Sequence, residues 1–246
     1  MLRSSKELFG YKIQADDGEI GKVYDFYFDD EIWTVRYIVV GTGNWLKDRK
    51  VLLVPSAAGH PDWKASTLPV RLTRKQVEES PEIDMDRPVS RQAEAELHRH
   101  YEWTPYWVVS APGAVPPVPQ EIKEKAKKEA QKDRVDPHLR SVREVAGYVV
   151  QAVDGGAGHV EQFIVDDSDW FIRYMVVDIR TWLIFLRKVL ISPGWIERVS
   201  WPDLKFFVNL PKKTIKNSPK YNPYAPVNRQ FEERLYDYYG RPRYWE

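Results

Sequence analysis

The chain contains no cysteine, which excludes disulfides, thiolate chemistry and Cys-ligated zinc. It also lacks a charge excess: 37 basic residues against 36 acidic ones leave a formal net charge of +1. A dedicated nucleic-acid binder carries a basic surplus that neutralises phosphates, so there is no strong nucleic-acid signal. Long apolar runs are missing as well. WLIFL at 182–186 falls far short of the ~20 residues that span a bilayer, and MLRSSKELFGYK at the start holds no signal-peptide core. These absences predict a soluble, cytoplasmic protein without a transmembrane segment.

Catalytic motifs are equally scarce. There is no H-E-x-x-H, no P-loop, no G-x-G-x-x-G and no G-x-S-x-G, the patterns that place a metal, a phosphate or a nucleophile. The five histidines are scattered, and His98 and His100 on one helix project to different faces, which is poor metal geometry. No catalytic, cofactor-binding or metal-ligating residue is predicted, and the chain does not read as an enzyme.

What is abundant is aromatic: 10 Trp and 14 Tyr, many in short clusters. The chain also repeats itself. DDEIWTVRYIVV at 29–40 returns as DDSDWFIRYMVV at 166–177, a shift of 137 that also pairs Gly10 with Gly147 and Gly21 with Gly158. One inserted residue then makes the shift 138, so that RKVLLVP (49–55) meets RKVLISP (187–193). The correspondence extends to PVSRQAEAELHRHYEWTPYW (88–107) and PVNRQFEERLYDYYGRPRYW (226–245). Two copies at so long a period indicate a tandem domain and not a solenoid. Between them, 108–137 is a Pro-rich and then charged linker, whose QEIKEKAKKEAQKD has helix formers but almost no apolar stripe.

Within each copy, short runs rich in β-branched and aromatic residues alternate with turn signals, among them DDG at 16–18, DDE at 29–31 and GTGN at 41–44. This predicts an antiparallel β domain. TVRYIVV is apolar on both faces, as a strand inside a closed or strongly coiled barrel would be. Ser4–Glu7, Ser141–Glu144 and Thr73–Gln76 have the spacing of capping boxes. The carboxylates at 29–31 and 166–169 read as turn formers, and Arg36 and Arg173 need carboxylate partners, Asp25 or Asp29 in the first copy.

The pattern G-x-I-G-K-V…DF-x-FDD…W-x-x-RY-x-VV…W-L…RKVL-x-P, followed by LT-R-x-QVE-x-SP, resembles the PRC-barrel family over about 75–80 residues of each copy. The second copy departs from it at Ala157-Gly158-His159 and at RTWLIFLRK. The family takes its name from the photosynthetic reaction-centre H subunit and a ribosome-maturation factor. The resemblance therefore implies a mainly β fold of two tandem small antiparallel barrels, with short helices and aromatic tails, in a bacterial protein. The expected parts are a first barrel at 1–81, its helix and tail at 82–107, the linker at 108–137, a second barrel at 138–219, and its helix and tail at 220–246.

The family's named members do unrelated things, so the fold carries no single activity. The leading expectation is a non-catalytic scaffold or adaptor that binds a protein partner through barrel faces and tails, alone or as a homo-oligomer. The alternatives are a ribosome- or RNA-linked assembly factor, a reaction-centre H-like subunit without its anchor, and a small-ligand binder or enzyme with an inter-barrel site. Candidate contact residues are Tyr101, Trp103, Tyr106, Trp107, Tyr238, Tyr239, Tyr244 and Trp245 of the tails, because Tyr and Trp combine apolar area with a polar tip. Trp182 and Phe185 join them, since so apolar a turn is costly in water. The tails have a second reading, as caps folded back on the barrels.

Overall fold

The computed structural model describes residues 1–82, 89–109, 138–179 and 187–246. The linker from 110 to 137, and with it the run of helix formers that reads as an exposed helix or a spacer, lies outside the described residues. So do Trp182 and Phe185.

The chain lays down β1 (Leu2–Ser4), α1 (Ser5–Leu8), β2 (Lys12–Ala15), β3 (Gly18–Asp29), β4 (Thr34–Gly41), β5 (Lys50–Leu53), β6 (Thr67–Pro69), α2 (Arg74–Glu78), α3 (Arg91–His100) and α4 (Tyr106–Val109). The second half follows the same order with one added strand and no counterpart of α4: β7 (Leu139–Ser141), α5 (Val142–Val145), β8 (Val149–Ala152), β9 (Gly155–Asp166), β10 (Ile172–Ile179), β11 (Arg187–Ile191), the added β12 (Ile196–Ser200), β13 (Lys205–Val208), α6 (Lys212–Asn217) and α7 (Arg229–Tyr239). The fold is mainly β, in two sheets. One runs β5-β4-β3-β2-β6, with β7 added on β3, and the other runs β11-β10-β9-β8-β13-β12, with β1 added on β9.

The antiparallel expectation needs one correction in each sheet. β2 pairs with β6 in parallel, and β8 pairs with β13 in parallel. The reason is connectivity: the chain leaves each sheet after β5 or β11 and returns along the opposite edge, so the last strand runs beside the first in the same direction. The long strands approach their neighbours closely at Gly21 and Gly158, at φ +144° and +152°, where a Cβ would meet Gly41 O at 2.3 Å and Asp178 O at 2.6 Å. Only glycine tolerates that approach.

The core strands are apolar on both faces, as TVRYIVV implied. Tyr37, Ile38, Val39 and Val40 are fully buried, as are Tyr174 to Val177 in β10. The Asp clusters form turns: Asp29 Oδ1 accepts from the N–H groups of Glu31 (3.1 Å) and Ile32 (3.2 Å), and Asp166 Oδ1 from Ser168 N–H at 3.2 Å. Arg36 pairs with Asp29 at 3.0 Å, and Arg173 with Asp169. The capping box at Thr73–Gln76 is present. At Ser4 the expectation fails: its Oγ accepts from Lys6 N–H and donates to the Gln162 side chain, so Glu7 closes no box.

By internal contacts the chain forms two compact units. One comprises Met1–Gly10, Asp25–Arg36 and Arg140–Glu246; the other comprises Tyr11–Tyr24 and Tyr37–Leu139. Neither is continuous in sequence. β3, whose residues are divided between the units, and β9, which lies in the first, are each twelve residues long, and each offers an edge beyond the reach of its hairpin partner. An unpaired edge is a liability in a sheet. Short Leu-Arg-Ser strands fill both, β1 on β9 (Leu2 opposite Asp166, Ser4 opposite Ile164) and β7 on β3.

Candidate interaction site

The tails are held by two buried carboxylates that motif reading passed over. In the first half, Ser90 caps α3 by accepting from Ala93 N–H at 3.1 Å, and the helix turns Glu94 inward, where it is fully buried. Tyr37 Oη donates to Glu94 Oε1 at 2.8 Å, and Tyr106 Oη donates to the same oxygen at 2.9 Å. Arg91, one turn back, pairs with Glu94 Oε2 at 3.0 Å and stacks over Trp107 at 4.4 Å. A buried charge is tolerable only when paired and hydrogen-bonded in this way.

His98 lies against the same cluster, with Nε2 2.9 Å from Tyr37 Oη. Tyr37 has one proton, given to Glu94, so this second bond uses the hydrogen on His98 Nε2. Burial pushes the His98 imidazole down to about 4, with Arg91 adding to the effect. The ring is neutral at pH 7. Burial and the neighbouring Glu94 carboxylate hold the Tyr37 hydroxyl well above the usual phenol range. This is the wrong direction for a phenolate nucleophile or base.

The second half repeats the arrangement on α7. Tyr174 donates to Glu232 Oε1 at 2.7 Å and Tyr244 donates to it at 2.9 Å. Arg229 pairs with Glu232 Oε2 at 3.1 Å and stacks over Trp245 at 4.1 Å. Burial, then Glu232, pushes the Tyr244 hydroxyl up to about 12. The start of each tail is pinned by an arginine of the adjacent strand: Arg49 donates to Ser80 Oγ at 2.9 Å, and Arg187 donates to Ser218 O at 2.5 Å.

Each tail therefore folds onto the core strand of its own half. Tyr101 stacks on Trp103 with centroids 4.2 Å apart, Tyr106 and Trp107 close on the Glu94 cluster, and Tyr239 packs on Trp195 at 4.7 Å. Tyr238 and Tyr244 remain 40% and 39% exposed, the open aromatic edge of the second tail. The structure brings eight of the ten aromatic candidates into these two clusters; Trp182 and Phe185 are outside the described residues. Glu94, Glu232, Tyr37 and Tyr174 were the omissions. One signal was present: Arg-Gln-x-Glu at 91–94 and 229–232, one turn of helix in both copies.

A second feature was not foreseen. The segment 220–227 joins the sheet at its two ends, where Lys220 bridges Val189 and Val227 bridges Leu2. Between these anchors, Asn222 Oδ1 accepts from Tyr224 N–H at 3.0 Å, and Asn222 O accepts from Ala225 N–H at 3.2 Å. Pro223 stiffens this turn, whose tip leaves Tyr224 96% exposed. Beside it lies a cleft of about 510 Å³ lined by Arg3, Ser4, Glu7, Ile164, Tyr221 and Pro223, among others. Burial, followed by Glu7 and Glu161, pushes the Tyr221 hydroxyl up to about 12.

Among the described residues no group of three or more His, Asp or Glu side chains could hold a metal ion. No helix among them is long and apolar enough to cross a membrane. None of the curated proteins matches the chain. Residues 2–65 match the family model of the PRC-barrel domain. The match runs from the opening Leu-Arg-Ser strand to the approach to β6, so it is the amino-terminal region that is similar to a PRC-barrel domain.

Proposed function

We propose that the chain is a non-catalytic scaffold or adaptor of two tandem PRC-like barrels, acting in the cytoplasm and binding a protein partner through the exposed aromatic edges beside its tails. One observation carries this reading: the carboxylates, tyrosines and histidine of the two tail clusters are turned inward, while aromatics on stiffened backbone are turned outward. Glu94, His98, Tyr37, Glu232 and Tyr174 are consumed in locking the tails, and burial lowers the His98 imidazole and raises the Tyr37 and Tyr174 hydroxyls. Tyr224, on its Asn-Pro turn, and Tyr238, on α7, project from ordered elements. Aromatics held this way lose little conformational freedom when a partner covers them.

The test is capture of partners with the full-length protein beside Tyr224→Ser and Tyr238→Ser, at low and high salt. Point variants are needed because deleting the second tail would also strip the cover from Tyr174. A partner kept at high salt by the parent and lost by either variant supports the reading. Equal capture by all three proteins overturns the assignment to these edges. Binding that disappears steeply with salt would favour a nucleic-acid role.

A further inference from the structure

The backbone contacts that join the two halves of the chain inside the first compact unit are reciprocal. Val35 N–H donates to Trp170 O at 2.9 Å, and Ile172 N–H donates to Trp33 O at 2.7 Å. Thr34 and Phe171 form an antiparallel bridge between them. Each of these residues has its counterpart 137 positions away on the other side. The exchanged strands obey the same rule. Ser141 Oγ donates to Asp25 Oδ2 at 2.5 Å, and Ser4 Oγ donates to the Gln162 side chain; Gln162 is the counterpart of Asp25.

A surface on which residue i meets j while j's counterpart meets i's is isologous, the kind that two identical subunits share about a twofold axis. Here it lies within one chain. Its aromatic filling is also matched: Phe26 faces Trp170 at 6.1 Å, and Trp33 faces Phe163 at 6.3 Å. Most telling, the two exchanged strands are identical, Leu2-Arg3-Ser4 and Leu139-Arg140-Ser141. Every side-chain contact that β7 makes on the first half can be made by a β1 strand from another molecule. Arg3 would replace Arg140 at Asp30 (Nε to Oδ2, 2.9 Å), and Ser4 would replace Ser141 at Asp25.

We propose that this surface is a strand-exchange interface that accepts the amino-terminal half of a second copy of this chain in place of the chain's own carboxyl-terminal half. The partner is recognised by three features: an opening Leu-Arg-Ser strand, the Trp33 carbonyl with the Val35 N–H, and the Phe26 and Trp33 side chains. This inference is independent of what the exposed aromatics bind.

The experiment uses the full chain carrying a protease site between residues 110 and 137. Isotopically light and heavy preparations are cut, mixed in urea, refolded together and weighed by native mass spectrometry. Pairs of one light and one heavy amino-terminal half are expected beside the amino–carboxyl pairs. Amino–carboxyl pairs alone, or separated halves, would overturn the proposal. A charge exchange then isolates the interface. Asp30→Arg with Arg140→Asp keeps the amino–carboxyl pair matched but sets Arg3 against the new arginine, twice, in any pair of amino-terminal halves. Such pairs should fall about a hundredfold, because apposed like charges in an interface cost several kcal/mol. Unchanged pairing of amino-terminal halves, or equal loss of both kinds of pair, would refute it.

Discussion

The two tail clusters solve one packing problem in two ways. In the first half the indole that fills the space beside α3 comes from the tail: Trp103 lies 6.0 Å from His98 and 4.2 Å from Tyr101. In the second half it comes from the opposite side, the turn between β11 and β12, where Trp195 lies 5.2 Å from Tyr236 and 4.7 Å from Tyr239. Tyr236 and Tyr239 are the counterparts of His98 and Tyr101, whereas the counterpart of Trp195 is Ala57 and that of Trp103 is Arg241. Beyond the shared Trp107 and Trp245, which lie 5.0 Å from His98 and Tyr236, each half holds one further indole there and not two. The volume of the site is what must be kept, and the element supplying it is free to change.

That comparison can be broken most severely at the tail. Ending the chain after Ser218 removes Glu232 and the fully buried Leu235 and leaves Tyr174 without its acceptor. A loss above about 5 kcal/mol is expected, read as a fall of about 10–20 °C in Tm. An unchanged Tm would mean that α7 contributes nothing to the second half.

Removing a buried carboxylate should rank next. Glu94→Ala removes the carboxylate shared by two tyrosine hydroxyls and Arg91, at about 3–5 kcal/mol by urea denaturation. Glu232→Ala should cost less, because the Arg229 side chain is already 50% exposed against 20% for Arg91. The reverse ranking would show that the second cluster bears more on folding than its geometry suggests.

The indoles sharpen the comparison further. Trp195→Ala, at a site 7% exposed, should cost about 3 kcal/mol or more, and Trp103→Ala less, since Trp103 is half-buried. Ala57→Trp alone should overpack the first half by about 1–3 kcal/mol. Adding Trp103→Arg to it transplants the second half's solution and should recover more than about 1 kcal/mol of that loss. Simple additivity would refute the idea that the two indoles occupy equivalent space.

The smallest effect separates the clusters by pH. His98 titrates near 4 when folded and near 6.5 when unfolded, so the unfolded chain binds more protons between those values. Stability contributed by the neutral ring is present above pH 6.5 and lost as pH falls towards 4, by about 2–3 kcal/mol at pH 4.5. Asp25, raised by burial, acts in the opposite sense, so the comparison is with His98→Tyr and not with absolute stability. The variant, carrying the second half's residue, should show a flatter pH profile in denaturant titrations from pH 7 to 4.5. A profile parallel to the parent's would remove His98 from the account.

Much of this was legible in the residues. Runs rich in β-branched and aromatic residues and the turn signals between them announced the strands, Asp29 and Asp166 their turns, and Thr73 with Gln76 the start of α2. These are local effects, decided within a few residues. The carboxylate locks were half legible: Arg-Gln-x-Glu on a helix looks like a surface ion pair, and only burial against Tyr37 or Tyr174 turns it into a core element. The Tyr224 turn gave less warning, since Asn-Pro marks a turn anywhere but not the cleft beside it.

By itself, then, the sequence determined the repeated strand pattern, the mainly β fold and the resemblance to a PRC-barrel, because alternation, turn chemistry and caps act over short range. Only the tertiary structure decided that the opening Leu-Arg-Ser strands would cross to the opposite half, that the last strands would pair in parallel, and that the tails would seal their own halves. Those outcomes depend on which edge is left unpaired and which carboxylate becomes buried. Both are properties of the assembled sheet, and no short stretch of chain contains them.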